Sequence, residues 1–312
     1  MMSRVLITDA VHPDMITLFQ NAGVEVNYQP DFNQEQTLSI IQDYDLLVIN
    51  SKIQVDASFM DQASNLKIVG RLGSGKEIID MEYATKKNIQ FHNSPEGNRD
   101  AVAEHALGLL LGLLNNIPKS FEQVKNGKWI REANRGHELK YHTVALLGYG
   151  NTGKAFANLL QVFGCKILAY DKFLQGFSSP HVEETDMLQI FQEATIVSLH
   201  LPLTSLTTHL LNDEFIAAFQ NEFYLLNTSR GKIVDETALL NALKSSKIKG
   251  FASDVLNNEK LDTYTKEEQL RLNEILLYNT IITPHIAGWT YESKKKLAHI
   301  LANKMIMSLT NH

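Results

Sequence analysis

The sequence is poor in cysteine and has no long apolar run, and each shortage excludes a class of protein. Cys165 is the single cysteine among 312 residues, which excludes a disulfide framework and a zinc site built from cysteines. One free thiol, with no apolar stretch of signal-peptide length near the start, predicts a reducing, cytoplasmic setting. The most apolar run, residues 106–114, is well short of the ~18 to 20 residues that span a bilayer. We therefore expect no membrane partner.

Positive charge is not in excess either. Lysine and arginine number 29 against 35 aspartates and glutamates, a net charge of -6, so nucleic acid and acidic membrane surfaces are not indicated as partners. Low-complexity segments are also missing. Apolar residues make up 44% of the chain and charged residues 21%, which is ordinary for a folded protein. The length suggests two domains of roughly 150 residues each.

Short apolar runs alternate with helical stretches through the first hundred residues. The predicted strands are 5–8, 46–50, 67–70 and 89–92, with helices over 13–22, 56–64 and 78–87. Apolar strands of this length between helices favour a parallel sheet. Residues 99–117 predict a long helix that is apolar nearly all round, ended by Pro118 and buried between domains or subunits.

The pattern restarts at Thr143. The predicted strands are 143–148, 166–171, 195–202, 222–229, 248–255 and 280–285, with helices between most of them. This indicates a second doubly wound α/β unit. The segment 290–308 is helical in period, and we expect it to pack back on the first domain.

A glycine pattern follows the first strand of the second unit. Gly148, Gly150 and Gly153 have the G-x-G-x-x-G spacing, after a predicted strand and at the start of a predicted helix. They permit a tight turn, close approach of a pyrophosphate and close helix packing. Asp171 ends the next strand, where a carboxylate accepts hydrogen bonds from ribose hydroxyls and repels a 2′-phosphate. The loop therefore predicts NAD, not NADP; the alternative is a tight turn without a ligand.

Polar residues end the later strands on the side where such sheets bind ligands. They are Asp171, His200 with Pro202, Thr228 to Gly231, Asp254 and His285. Arginine can hold a carboxylate with two hydrogen bonds, and histidine can donate a proton near neutral pH. This combination of side chains suits the reduction of an oxo acid. The alternatives remain that His285 only caps a turn and that Arg230 is a surface loop residue.

These residues resemble the D-isomer-specific 2-hydroxyacid dehydrogenases, a family that includes phosphoglycerate, glyoxylate and D-lactate dehydrogenases. The similarity runs over essentially the whole chain. The matching stretches are GRLGSG (70–75), AVAEHALGLLL (101–111), LLGYGNTGKAFA (146–157), LHLPLTSLTTHLL (199–211), NTSRGKIVDETAL (227–239), ASDVLNNE (252–259) and TPHIAGW (283–289).

The resemblance implies catalytic roles. Arg230 would bind the substrate carboxylate and polarise its carbonyl, and His285 would be the acid in reduction and the base in oxidation. Glu259 would pair with His285 and keep it protonated. Gly73, Ser74 and Gly75 would meet the substrate carboxylate with backbone N–H groups, alongside Arg230 and His285.

The resemblance also implies the architecture and the cofactor contacts. A flavodoxin-like substrate domain, 1–98 plus 289–312, would join a Rossmann NAD-binding domain, 99–288, with the active site in the cleft between them. Family members usually form homodimers through the dinucleotide domain. Asp254 would face the nicotinamide, and no metal is expected. The full set of expected NAD contacts is Ser74, Gly148, Tyr149, Gly150, Asn151, Thr152, Gly153, Asp171, Leu201, Pro202, Thr207, Thr228, Ser229, Arg230, Asp254, His285 and Gly288.

Departures from the family pattern bear on the substrate. Lys260 stands where proline usually follows the glutamate, which affects the expected pairing of Glu259. Asn50 stands where phosphoglycerate-type members often have arginine, with Lys52 and Arg71 nearby, and Glu77 with Ile78 replaces the common Asp-Asn.

Several substrates and one non-enzymatic function stay open. Phosphoglycerate is plausible, although the sequence shows no regulatory serine-binding extension, and glyoxylate, hydroxypyruvate and other short 2-oxo acids compete with it. A protein that senses NAD(H), as the C-terminal-binding-protein co-repressors do, is the alternative to an enzyme.

Overall fold

The computed structural model describes residues 2–309, and the chain divides into two compact units. The first unit holds the residues up to Arg99 and those from Trp289 onward, and the second spans Asp100–Gly288. No helix among the described residues is both long enough and apolar enough to cross a membrane.

The first unit is a five-stranded parallel sheet with helices between its strands. Its elements before the chain enters the second unit are β1 (Arg4–Ile7), α1 (Pro13–Asn21), β2 (Glu25–Tyr28), α2 (Gln34–Ile40), β3 (Leu46–Ile49), α3 (Ala57–Gln62), β4 (Ile68–Arg71), α4 (Met81–Lys86) and β5 (Gln90–Asn93). Asn33, Asp56 and Asp80 begin the last three helices by accepting backbone N–H groups of the first turn.

The strand order of this sheet is β2-β1-β3-β4-β5, with every pairing parallel. That order is the flavodoxin-like one. The central strands β1 and β3 are almost wholly apolar and buried, as expected for strands covered by helices on both faces. The predicted parallel sheet is confirmed.

The second unit begins with two helices and continues as a seven-stranded parallel sheet. Its elements are α5 (Arg99–Leu114), α6 (Ile117–Lys125), β6 (Thr143–Leu147), α7 (Asn151–Leu160), β7 (Lys166–Tyr170), β8 (Glu183–Glu184), α8 (Met187–Glu193), β9 (Ile196–Leu199), α9 (Asp213–Ala218), β10 (Phe223–Asn227), α10 (Glu236–Lys244), β11 (Ile248–Ser253), α11 (Lys266–Ile275) and β12 (Thr280–Ile282).

The strand order of the second sheet is β12-β11-β10-β9-β6-β7-β8. The order reverses direction between β6 and β9, which are hydrogen-bonded neighbours. A dinucleotide fold binds its ligand at this switch point, outside the carboxyl ends of the strands. The second predicted doubly wound unit is therefore confirmed, with its ligand-binding rim at the ends of β6, β7, β9, β10, β11 and β12.

The helix predicted over 99–117 is shorter than expected, and its end has another cause. α5 stops at Leu114, and Asn116 takes a left-handed conformation with φ of 51°. Pro118 does not close this helix; it lies in the first turn of α6, where its missing N–H costs no helical hydrogen bond. The buried side chains of α5, including Ala106 and Leu110, pack in one core with β6 residues of the second sheet.

The last helix, α12 (Tyr291–Leu309), packs on the first sheet. Ala298, Leu301, Ala302 and Met305 are fully buried in a core with residues of β1, β3 and α1. A Cβ added to Gly70 of β4 would lie 2.3 Å from the Met305 sulfur, so the strand and helix are in close contact. The predicted return of this helix to the first domain is confirmed.

Candidate active site

The glycine loop joins β6 to α7 at the switch point of the second sheet. Gly148 has φ of 96°, and an added Cβ would lie 2.3 Å from the His200 carbonyl oxygen. A Cβ at Gly153 would lie 2.3 Å from the Gly148 carbonyl oxygen, whereas one at Gly150 would meet nothing within 4 Å. Two glycines are thus required by packing, while the third leaves open space before the N-terminus of α7, where Asn151 and Thr152 begin the helix.

Asp171, at the end of β7, is hydrogen-bonded to the glycine loop. One carboxylate oxygen accepts from the Tyr149 N–H at 2.8 Å, and the other accepts from Phe173 and Leu174 N–H groups at 2.9 and 3.0 Å. Burial opposes ionisation, but these hydrogen bonds outweigh it and hold the pKa of Asp171 below its ordinary value. A carboxylate offers about four acceptor positions, so the charged group retains room for a further donor such as a ribose hydroxyl.

His200, at the end of β9, is a buried neutral histidine. Its Nε2 lies 3.0 Å from the Ser198 hydroxyl and its Nδ1 lies 3.3 Å from the Thr152 hydroxyl. Burial lowers the pKa of His200 to about 4 because the charged ring cannot be solvated. The side chain therefore packs beneath the glycine loop and stays uncharged near neutral pH.

The loop after β9 and the turn after β10 are tied together by Ser229. Its hydroxyl donates to the Leu199 carbonyl and accepts from the Leu201 N–H at 3.2 Å. Thr207 fixes the rest of the loop by donating to the Pro202 carbonyl at 2.7 Å. Thr228 Oγ1 is buried and has no hydrogen-bond partner among residues 2–309, so a polar ligand atom beside it would satisfy this hydroxyl.

Arg230 is the half-buried third residue of this turn, in an extended conformation before a single 3-10 turn at Gly231–Ile233. Its Nη1 donates to the Ser229 carbonyl at 2.8 Å. The turn itself is held by Asn227, whose amide donates to the Arg230 carbonyl at 2.9 Å and accepts from the Ser229 N–H at 3.0 Å. Sequence reasoning missed Asn227; its signal was an amide at the end of an apolar strand, directly before the polar turn.

His285 occupies a strained turn after β12. Its φ of 57° places it in the left-handed region, which costs a non-glycine residue of order 1–3 kcal/mol. The turn is held by Asp254, which is 1% exposed. The Asp254 carboxylate accepts from Thr283 Oγ1 at 2.6 Å, Ile286 N–H at 2.9 Å and Ala287 N–H at 2.7 Å. Hydrogen bonds to a charged group contribute about 1.5–3 kcal/mol each, enough to offset the strain.

This arrangement modifies the interpretation of Asp254. The sequence predicts that it faces the nicotinamide, and that contact stays a prediction. Both of its oxygens hold the 283–287 turn, and its backbone carbonyl accepts the His285 N–H at 2.8 Å. Gly288 directly follows the turn.

Glu259 lies beside His285 despite the lysine that follows it. His285 Nδ1 is 2.9 Å from Glu259 Oε2, and the two side chains are 48% and 45% exposed. The Lys260 N–H donates to Asn258 Oδ1 at 3.0 Å, a hydrogen bond that proline could not make. The local backbone therefore has its own stabilising contact, and the pairing predicted for Glu259 is present.

The remaining predicted residues lie in the first unit, in the loop after β4. Gly73 has φ of 100°, and its carbonyl accepts the Ser94 N–H at 3.1 Å. The Ser74 carbonyl accepts from the Asn93 amide at 3.0 Å. Ser74 is exposed and Gly75 is buried. The carbonyl sides of Gly73 and Ser74 are thus fixed to the end of β5.

Two cations near this loop are engaged within the first unit. Arg71 Nε donates to the Asn50 carbonyl at 2.8 Å, and its Nη1 lies 3.7 Å from Glu77 Oε2. The Lys52 ammonium donates to the Pro30 carbonyl and lies 3.9 Å from Asp9 Oδ1. Both side chains therefore have partners of their own.

Comparison with known proteins assigns the chain to a family. Residues 107–287 match the model of the D-isomer specific 2-hydroxyacid dehydrogenase NAD binding domain, and the chain belongs to this family. The second unit is thus a NAD-binding domain, as predicted. Solved D-2-hydroxyisocaproate dehydrogenase covers 99% of this chain and 97% of its own, with a TM-score of 0.85 and 25% identity.

Two relatives of known name are similar over nearly the whole chain. D-3-phosphoglycerate dehydrogenase of Methanocaldococcus jannaschii is 34% identical over 97% of this chain and 57% of its own length. Hydroxypyruvate reductase of Thermotoga maritima is 33% identical over 98% of both chains. The chain thus spans about half the length of the phosphoglycerate dehydrogenases that it matches.

The residues of the second unit fit NAD. Open space above Gly150, the start of α7, the remaining acceptor capacity of Asp171 and the unsatisfied Thr228 hydroxyl match the phosphates, ribose and polar edge of a dinucleotide.

Proposed function

We propose that this protein is a NAD-dependent D-2-hydroxyacid dehydrogenase that interconverts a short 2-oxo acid and its 2-hydroxy acid. The observation that supports this best is the 2.9 Å contact of His285 with Glu259, at the ligand-binding rim of a NAD-binding domain. NAD(H), when bound, supplies or takes up the hydride at the carbonyl carbon. The side chains supply binding, orientation and the proton.

His285 is the proton donor in reduction. Its Nδ1 carries a proton toward the Glu259 carboxylate, so Nε2 is the ring nitrogen that serves the substrate oxygen. In reduction the Nε2 proton passes to the carbonyl oxygen and forms the hydroxyl; in oxidation the neutral ring takes it back.

Arg230 binds the substrate carboxylate. A guanidinium matches a carboxylate with two parallel hydrogen bonds, and the extended conformation of Arg230 is fixed by Asn227. Such a clamp orients the neighbouring carbonyl toward the acid group. The backbone of Gly73, Ser74 and Gly75 completes carboxylate binding in this proposal, which assigns residues 1–98 with 289–312 to the substrate.

The substrate we propose is an unphosphorylated acid of the hydroxypyruvate or glyoxylate type. Asn50 stands where a phosphate-binding arginine would be expected, and the two nearby cations, Lys52 and Arg71, contact Asp9 and Glu77. The similarity to hydroxypyruvate reductase along the full length of both chains supports the same class.

A substrate panel tests the proposal. NADH consumption by the purified protein is measured with hydroxypyruvate, glyoxylate, pyruvate, larger 2-oxo acids and 3-phosphohydroxypyruvate, and NADPH replaces NADH as the control. We expect turnover of short unphosphorylated acids with NADH. Turnover of the phosphorylated acid alone would contradict the substrate class. NADH binding without turnover of any acid would contradict the proposed enzymatic activity and favour a protein that senses NAD(H).

We also propose a homodimer, formed by the surface of α6 and the segment after it. Ile117, Phe121 and Val124 lie on one face of α6 and are 55%, 64% and 52% exposed, and Trp129 and Tyr141 are 81% and 78% exposed. Exposed apolar side chains that share one helix face mark an interaction site. We name these five residues the α6 patch, and we infer a second copy of this chain as its partner because family members usually pair through the dinucleotide domain.

Sedimentation equilibrium tests the homodimer. We expect the parent protein to sediment as a dimer and Phe121→Asp to sediment as a folded monomer. Leu277→Asp, which changes a more exposed apolar residue outside the patch (82% exposed), is the control and should remain dimeric. A monomeric parent, or a dimeric Phe121→Asp protein, would contradict the assignment.

A further inference from the structure

His105 lies on α5 and contacts the residues that hold the His285 turn. Its Nε2 is 2.9 Å from the Thr283 hydroxyl and 3.6 Å from Asp254 Oδ1. The side chain is 23% exposed. All these groups belong to the second unit. Neither the glycine loop nor the proton donor itself uses this histidine.

The hydrogen-bond directions follow from the donors available. Thr283 Oγ1 is 2.6 Å from Asp254 Oδ1, and the Asp254 oxygens also accept the Ile286 and Ala287 N–H groups, the pattern of a carboxylate. The hydroxyl of Thr283 has one proton, which goes to Asp254. His105 Nε2 must therefore donate to Thr283, which fixes the proton on Nε2. The result is a chain of donors from His105 through Thr283 to Asp254.

Loss of the first donor would loosen the rest of the chain. Without His105 the oxygen of the Thr283 hydroxyl no longer accepts a hydrogen bond. The hydroxyl is then free to rotate away from Asp254. The Asp254 carboxylate would then hold the 283–287 turn with backbone donors alone. His285 has a left-handed backbone in that turn, so a looser turn would move its ring away from Glu259.

We propose that His105 is a positioning residue for His285, acting through Thr283 and Asp254. It does not touch the substrate; it keeps the turn in the geometry in which His285 contacts Glu259. The inference rests on the proposed function of His285 as the acid. The competing role is ordinary packing of α5, since its neighbours Ala103, Ala106 and Leu109 are buried in the core.

Two pairs of variants separate these roles. His105→Leu and Thr283→Val remove the donor and the hydroxyl at similar volume, whereas His105→Gln and Thr283→Ser retain a donor and a hydroxyl. Each protein is measured for amide hydrogen exchange, for kcat and for KM toward the best oxo acid of the panel.

The expected result is selective. His105→Leu and Thr283→Val should speed exchange of the 283–289 peptide and leave the 100–114 peptide unchanged. They should lower kcat by roughly 10- to 100-fold, as a displacement of about 1 Å does, with KM within a factor of two or three. His105→Gln and Thr283→Ser should restore most of both properties.

Three results would overturn the inference. One is unchanged exchange of the 283–289 peptide in both His105→Leu and Thr283→Val. Another is faster exchange throughout α5, which would indicate a packing role. The third is a His105→Gln protein as impaired as His105→Leu. If the parent protein turned over no acid, the proposed function would fail, and the exchange measurement would still decide whether His105 holds the turn.

Discussion

His285 and Glu259 are both about half exposed, so their contact is short without being buried. An exposed ion pair contributes little to stability, typically 0–1 kcal/mol. The value of the contact is geometric, because the hydrogen bond that Nδ1 makes fixes the tautomer and orientation of the imidazole. Replacement of Glu259 should therefore affect the rate of reduction more than it affects folding.

Glu259→Gln tests this through the rate of reduction. Glutamine removes the carboxylate that accepts from His285 Nδ1 and so leaves the tautomer and orientation of the ring less fixed. We expect kcat of oxo-acid reduction to fall by roughly 10- to 100-fold, as displacement of a catalytic group does, with NADH affinity unchanged. Glu214→Gln, which changes an exposed glutamate of α9, is the control and should keep the parent kcat. A Glu259→Gln protein with the parent kcat would show that the contact has no role in proton transfer.

His200 predicts a stability change with pH. Its pKa is about 4 when buried and near 6.5 when unfolded, so below pH 6.5 the unfolded chain binds a proton that the folded chain does not. The contribution of His200 to stability is therefore fully present above pH 6.5 and is lost as the pH falls toward 4. Between pH 7 and pH 5 this residue alone should lower the free energy of unfolding by about 2 kcal/mol.

Urea titration at pH 7 and pH 5 checks the His200 contribution. Over this pH range the free energy of unfolding of His200→Asn should fall by about 2 kcal/mol less than that of the parent, whatever the stability of the variant at pH 7. Equal pH dependence of the two proteins would mean that His200 is not the buried neutral group described.

At the level of elements, the loop between β6 and α7 separates packing from ligand binding. Gly153→Ala places a methyl group 2.3 Å from a backbone oxygen and should cost about 1–3 kcal/mol of stability. Gly150→Ala meets nothing within 4 Å, so the protein should keep its melting temperature. Its affinity for NADH should nevertheless fall at least about tenfold, because the pyrophosphate must approach that position closely.

Calorimetry and NADH fluorescence titration measure both effects. Gly108→Ala adds the same methyl group to α5, also with nothing within 4 Å, and should change neither property unfavourably. Unimpaired NADH binding by Gly150→Ala would argue against a dinucleotide at this loop.

The elements that the sequence predicted well are those with strong apolar runs. The buried strands β3, β6 and β9 and the glycine loop all lie where the pattern indicated them. Strand β2 (Glu25–Tyr28) was not predicted, because it has four half-buried or exposed residues at a sheet edge. The end of α5 was misplaced because Asn116, not Pro118, breaks the helix, and a left-handed asparagine leaves no strong sequence signal.

At the scale of the whole molecule, the sequence predicted two parallel sheets and the return of the last helix, and both are present. It predicted the residues that end each strand but not the residues that hold them. Asn227 acts locally, on the two residues of the turn that follow it, whereas His105 and Thr283 act through a contact between parts of the chain 178 residues apart. Such contacts follow from the register of the sheet, which no local pattern specifies.

NADH oxidation with the best oxo acid of the panel, by the parent protein and by His285→Gln side by side, tests whether His285 is the proton donor. We expect the variant to lose roughly 10²- to 10⁴-fold in kcat while binding NADH with the affinity of the parent. His181→Gln, at an exposed histidine, should match the parent. A His285→Gln protein that reduces the acid as fast as the parent would contradict the assignment of His285 as the proton donor.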